Sequence, residues 1–157
     1  IILSKSELGN IWFYKKNINF KATIWFTIFL VILLAAEILG YLAQTDFGNV
    51  EVTNVRFENY NGITVRAKLL KPANIDRATL PGIVFVHGYQ NNRETSDAYG
   101  IELARRGFVV LNIDAVGRGN SGKPGDIDAP DFDPSYGTKS ALEYLSSLPC
   151  VDPESMD

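Results

Sequence analysis

The sequence predicts an α/β domain, a mostly parallel sheet with helices on both faces that is incomplete in this chain, preceded by one transmembrane helix. Three observations predict it. The first is a length of 157 residues, enough for one modest domain with its own core. The second is a long apolar stretch near the N-terminus. The third is an alternation of short apolar runs and amphipathic segments from residue 83 onward, the pattern of strand, helix and strand.

The apolar stretch comes first along the chain. From Ala22 to Thr45 the one charged residue is Glu37, and residues 24–36 are almost purely apolar. As a helix this span is long enough to cross a hydrocarbon core of about 30 Å. A buried soluble helix would need a polar face, which is missing. A cleaved signal peptide has a shorter apolar region of roughly 7–15 residues and a small-x-small cleavage site; here Tyr41-Leu42-Ala43 places a large residue where a small one is needed. An uncleaved anchor is the expectation. Lys15, Lys16 and Lys21 precede the span, and Asp46 and Glu51 follow it. The positive-inside bias then puts the N-terminus in the cytoplasm and the domain outside, with the lipid bilayer as a partner. Glu37 lies near the outer end, where snorkelling or a helix partner relieves its cost.

The net charge of −3 conceals a division: residues 1–45 carry four Lys against two Glu, which leaves eleven Lys/Arg against sixteen Asp/Glu from totals of 15 and 18. An acidic domain offers no electrostatic support for nucleic-acid binding. Cys150 is the only cysteine, so an internal disulfide and a cysteine-rich metal site are excluded. The chain opens on Ile1 rather than Met and ends at Met156-Asp157, and we expect a piece of a longer polypeptide.

The remaining elements follow in order. Val50, Val52, Val55 and Phe57 alternate as a strand with a slip near Thr53-Asn54; Asn61-Gly62 marks a turn, and residues 63–70 read as its hairpin partner. Residues 72–81 read as a loop. Residues 83–86 are a short continuous apolar run, as in a strand buried on both faces. Thr95 or Ser96 caps a helix to about Arg106, with Ala98, Ile101 and Ala104 on its buried stripe and Gly107 as its stop. Residues 108–114 form another buried strand, parallel to the last. Residues 115–134 are a loop rich in Gly, Pro and Asp, and 135–147 a second helix offering Ala141, Leu142, Tyr144, Leu145 and Leu148 to the sheet.

Two phosphate motifs fail on inspection. Gly117-Arg118-Gly119-Asn120-Ser121-Gly122 fits the dinucleotide fingerprint, but the following Lys123-Pro124-Gly125 cannot open the helix that would face a pyrophosphate. As a phosphate-binding loop it has Pro124 where a magnesium-holding Ser or Thr belongs.

Three segments occur in one order with the right elements between them. They are Gly82–Gly88 with Tyr89, then residues 114–122 as D-x-x-G-x-G-x-S, then Val151-Asp152-Pro153. Together they resemble the α/β-hydrolases, specifically the serine esterases and acyl-peptidase-like members, over about residues 50–157. The resemblance implies an α/β-hydrolase fold and an N-terminal fragment, with 46–157 as the N-terminal part of the hydrolase domain; the apolar span and the charges around it set 1–21 as a cytoplasmic segment and 22–45 as the transmembrane helix. It implies that the backbone N–H of Tyr89 is the first oxyanion-hole donor and that Gly88 lets the backbone turn close to substrate. His87, the chain's one histidine, is then a loop scaffold and not the base. The Tyr89 ring either lines the pocket mouth or packs on its loop; Arg93 either pairs with an acidic group or is solvated. Val151-Asp152-Pro153 is expected as the short loop leading to the nucleophile-bearing strand.

The chain departs from the pattern at Val116 and Arg118, where the family often has Arg and His, and this alters pocket polarity. No G-x-S-x-G occurs; Ser121 sits on a loop and reads as structural. In this fold the triad runs Ser, acid, His in chain order, so all three members are expected beyond Asp157, with the elbow within roughly a dozen residues of it. The resemblance thus implies a membrane-anchored serine hydrolase acting on an ester, thioester or peptide bond of a small-molecule or peptide acyl substrate, with no metal or organic cofactor. This chain by itself is expected to be inactive. A non-catalytic membrane-tethered binding module and an acyltransferase on the same fold remain open alternatives.

Overall fold

A computed structural model describes residues 5–74 and 79–156, the side chains at 7–9 and 11–19 excepted. Part of the expected 72–81 loop (residues 75–78) and the chain ends lie outside the described residues. The chain divides into two compact units, Ile1–Tyr41 and Leu42–Asp157.

The N-terminal unit is helical. Helix α1 runs Lys5–Gln44, and its stretch Phe20–Gln44 has a mean hydropathy of 2.4 over its most apolar part, none of which is buried. Twenty-five residues of helix span about 37 Å, enough by length and composition to cross a membrane.

The second unit is built on a five-stranded sheet in the order β1-β2-β4-β3-β5. Strands β1 (Val50–Glu58) and β2 (Thr64–Pro72) form the expected hairpin. Its turn is closed by Asn59, whose Oδ1 accepts the N–H groups of Asn61 and Ile63 at 3.1 and 2.8 Å, while Gly62 takes a φ of +70°. The ladder is unbroken from Val50 opposite Pro72 to Glu58 opposite Thr64, so the slip expected near Thr53-Asn54 is a change of apolar face and not of register: Val50 and Val52 pack into one core cluster, Val55 and Phe57 against the other.

Strand β3 (Leu80–Val86) leads through a 3-10 turn (Arg93–Ser96) and helix α2 (Asp97–Arg105) to β4 (Val109–Asp114), which pairs parallel to β3. The helix starts where expected, with Ser96 in its N-cap position, although Ser96 makes no side-chain capping bond. Asn92 caps the preceding 3-10 turn, its Oδ1 accepting from Glu94 N at 3.1 Å. Gly107 stops the helix with φ +95°, a conformation open to glycine.

Every residue of β4 is buried, and its alternation divides the core. Val110 faces Val50, Leu70 and Ala104 of α2; Val109, Leu111 and Ile113 face Val65, Ala67, and Ala141 and Leu145 of helix α3 (Thr138–Ser146). Successive strand residues point to opposite faces, so the two helices cover opposite sides of the sheet.

Two expectations need correction. The sheet is mixed rather than mostly parallel: β1/β2 and β2/β4 are antiparallel, β3/β4 and β3/β5 parallel. The hairpin adds two strands through its own tight turn, and only the β4-β3-β5 part is joined by helical crossovers. Residues 151–153 are not a loop; they begin strand β5 (Val151–Met156), opened by Leu80 N donating to Cys150 O at 2.9 Å. Gly82 lets β5 approach, because a Cβ there would lie 2.9 Å from Val151 Cγ1.

Candidate functional site

In open α/β sheets, ligands bind beyond the carboxyl ends of the strands. Here the ends of β3 and β4 launch two loops, 87–92 and 115–137. Between them lies a cavity of about 310 Å3 lined by His87, Gly88, Tyr89, Val116, Arg118, Tyr136 and their neighbours.

His87 joins the two loops. Its Nδ1 lies 2.9 Å from Gly88 O, and its Nε2 accepts the N–H of Ala115 at 3.2 Å. Those contacts are satisfied together by the neutral ring with its proton on Nδ1, a tautomer assigned from the hydrogen bonds. Neither nitrogen is then left for proton transfer.

Tyr89 follows. Its N–H reaches no acceptor among the described residues, and its ring is 84% exposed on the cavity mouth rather than packed on the loop. The guanidinium carbon of Arg118 sits 5.2 Å from the ring centroid, a cation–π contact that the sequence did not suggest. Gly88 has a nearly empty surround, with only Asn91 Nδ2 at 3.8 Å from the position of a Cβ. Gln90 next to Tyr89 adopts φ +62°, so the loop carries strain beside the cavity.

Asp114, at the end of β4, holds the loops from beneath. It is 1% exposed; Oδ1 accepts Arg93 N and Oδ2 accepts Asn120 N, each at 2.9 Å. Arg93 is buried rather than solvated, its Nε 3.7 Å from Asp114 and 3.5 Å from Glu94. Gly119, at φ +49°, is needed because a Cβ would lie 2.2 Å from Asp114 Oδ1. Ser121 ties the same loop to the sheet: its Oγ donates to Asp114 O at 2.6 Å and accepts Arg66 N at 2.8 Å.

The floor on the α3 side is organised by Asp133. Burial by itself would raise its carboxyl pKa, but hydrogen bonds from Ser135 Oγ, Ser135 N–H and Gly137 N–H outweigh this and hold it below the ordinary aspartate value. This carboxylate holds the turn that precedes helix α3, which was expected to begin at 135; Tyr136 and Gly137, at φ +50° and +93°, delay it to Thr138. A lowered folded value stabilises the fold at all pH above the ordinary aspartate range, and that contribution disappears as the pH falls through the folded value. Asp133→Ala removes the acceptor of these hydrogen bonds and is expected to cost about 1–2 kcal/mol at neutral pH and progressively less in acid, read from urea midpoints at the two pH values.

The acetyl xylan esterase (AXE1) family model matches residues 36–140. An uncharacterized protein of Pseudomonas aeruginosa is 36% identical over 107 residues, covering 67% of this chain and 29% of that protein. The crystal structure of a hypothetical protein from the same species superposes with a TM-score of 0.61 at 34% identity, covering 69% of this chain and 34% of the other. An acetyl xylan esterase from Paenibacillus sp. R4 shares the fold at 20% identity and a TM-score of 0.55, with 69% and 40% covered. The chain spans about a third of the length of the relatives it matches.

Proposed function

The chain belongs to the acetyl xylan esterase (AXE1) family of α/β-hydrolases, and from that premise we propose that it forms the N-terminal part of a serine hydrolase that cleaves a carboxylic ester through an acyl-enzyme. The observation that carries this reading is the free N–H of Tyr89 at the mouth of a cavity on the carboxyl ends of β3 and β4. A serine Oγ would attack the ester carbonyl carbon, and the oxygen that gains charge would accept the Tyr89 N–H. Collapse of the tetrahedral species expels the alcohol, which takes a proton from the base; water then releases the acid and restores the serine. Gly88 leaves room for the carbonyl to approach. His87 serves as a scaffold, since both ring nitrogens are engaged, and the nucleophile, acid and base come from other parts of the full-length polypeptide.

The test is chemical. Full-length protein is expected to hydrolyse p-nitrophenyl acetate and to label with a fluorophosphonate, whereas the isolated 157-residue chain is not. Full-length protein that folds but neither labels nor hydrolyses esters would favour a binding module on this fold.

Helix α1 is read as an uncleaved anchor, with the hydrolase domain outside the cytoplasm. The apolar stretch Phe20–Gln44 and the lysines before it support this. A periplasmic-type phosphatase reporter fused after Asp46 is expected to be active and to remain with membranes. A soluble, shortened product would identify a cleaved signal; an inactive fusion would reverse the topology.

A further inference from the structure

A second concavity on the domain, about 620 Å3, is distinct from the one beside Tyr89. It lies on the α2 side of the sheet and is lined by Asn54, Val55, Arg56, Arg66, Arg93 and Asn120. No acidic side chain is among these. Arg56 and Arg66 stand directly opposite each other on β1 and β2. Like charges in that register repel, and neither guanidinium has an ion-pair partner among the described residues.

The nearby carboxylates are already engaged. Glu94 and Asp97 both bind Lys68, at 2.6 and 2.5 Å, and Asp114 accepts two backbone N–H groups. Arg93 adds the second indication. More than nine-tenths of its side chain is buried, yet its Nε and Nη1 make no hydrogen bond; its carboxylate neighbours lie at 3.5 and 3.7 Å. Buried guanidinium N–H groups without acceptors are costly, and guanidiniums are suited by charge and by their forked donors to a phosphate or similar oxyanion.

We propose that this concavity binds a phosphate group, free or carried as a monoester, between Arg56, Arg66 and Arg93, with the amides of Asn54 and Asn120 as further donors. The site is separate from the cavity at Tyr89 and needs no chemistry from it. Because Arg93 also leans on Asp114, which holds both loops of that cavity, the bound anion would brace them from behind.

The experiment uses the full-length protein, wild type and Arg56→Gln/Arg66→Gln, with melting temperature followed against added inorganic phosphate and, separately, glucose 6-phosphate. Without phosphate at low salt, the variant is expected to melt at or above the wild-type temperature, because a repulsive pair has been removed. With phosphate, the wild type gains a saturable stabilisation that the variant lacks, so the order of the two reverses. Calorimetric titration should give one site, weakened roughly tenfold to a hundredfold by either single substitution. Equal affinity for the two probes marks a free-anion site, and tighter binding of the ester marks a phosphorylated ligand. A variant destabilised without phosphate, and no phosphate response in the wild type, would overturn the proposal in favour of a carboxylate from elsewhere in the polypeptide. An identical phosphate response in both proteins would also overturn it.

Discussion

Replacing Asp114 with alanine is expected to destabilise the full-length protein by about 3–5 kcal/mol, because it removes the one buried carboxylate beside Arg93 and leaves only the half-exposed Glu94. The same change removes the acceptor for Arg93 N and Asn120 N, so the end of the 87–92 loop and the first part of the 115–137 loop lose their anchor together. At about 2–4 °C per kcal/mol, the value for domains of roughly 150–250 residues, the loss corresponds to a fall in melting temperature of roughly 6–20 °C. Asp114→Asn should fall between, since it keeps a carbonyl acceptor and loses the charge. Thermal unfolding of the three proteins in the same buffer separates these contributions. A fall of only a degree or two for Asp114→Ala would show that Arg93 finds water, and that the loops are held by other contacts.

The second expected result concerns catalysis. Tyr89→Pro removes the one N–H assigned to the oxyanion and should reduce kcat by roughly a hundredfold to a thousandfold, about 2.7–4 kcal/mol of transition-state stabilisation. No hydrogen bond of the free protein is lost with that N–H, so stability should change far less than activity. Tyr89→Phe keeps the N–H and the ring, and should retain most of the activity. Ester hydrolysis and melting temperature measured on both variants distinguish a lost donor from a damaged loop. Equal losses of kcat in the two would place the oxyanion donor elsewhere.

Much of the framework was legible because it is local. The hairpin at Asn61-Gly62 follows from a turn that only a few residue types can make, and the mostly apolar run of β4 from burial on both faces. The order of the hydrolase-like segments was legible too, and membership of the acetyl xylan esterase family agrees with it. The site was legible only in outline. Asp114 reads as the end of a strand, but its partners lie 21 and 6 residues away, and no local pattern ties them to it. The stacking of Arg118 on Tyr89 depends on two loops meeting above the sheet, and the facing pair Arg56 and Arg66 depends on hairpin register.

By itself, the sequence determined the kinds of element and their order: an apolar helix, a hairpin, and strand-helix alternation set by periodicity, glycine stops and turn residues. These are short-range consequences of backbone sterics and burial. Only the tertiary structure decided that β2 runs antiparallel beside β4, that residues 151–156 join the sheet as β5, and that Arg93 is buried against Asp114 rather than solvated. Those outcomes turn on which strand edges are free and which charges meet after the chain has folded back, and neither quantity is carried by any single stretch of residues.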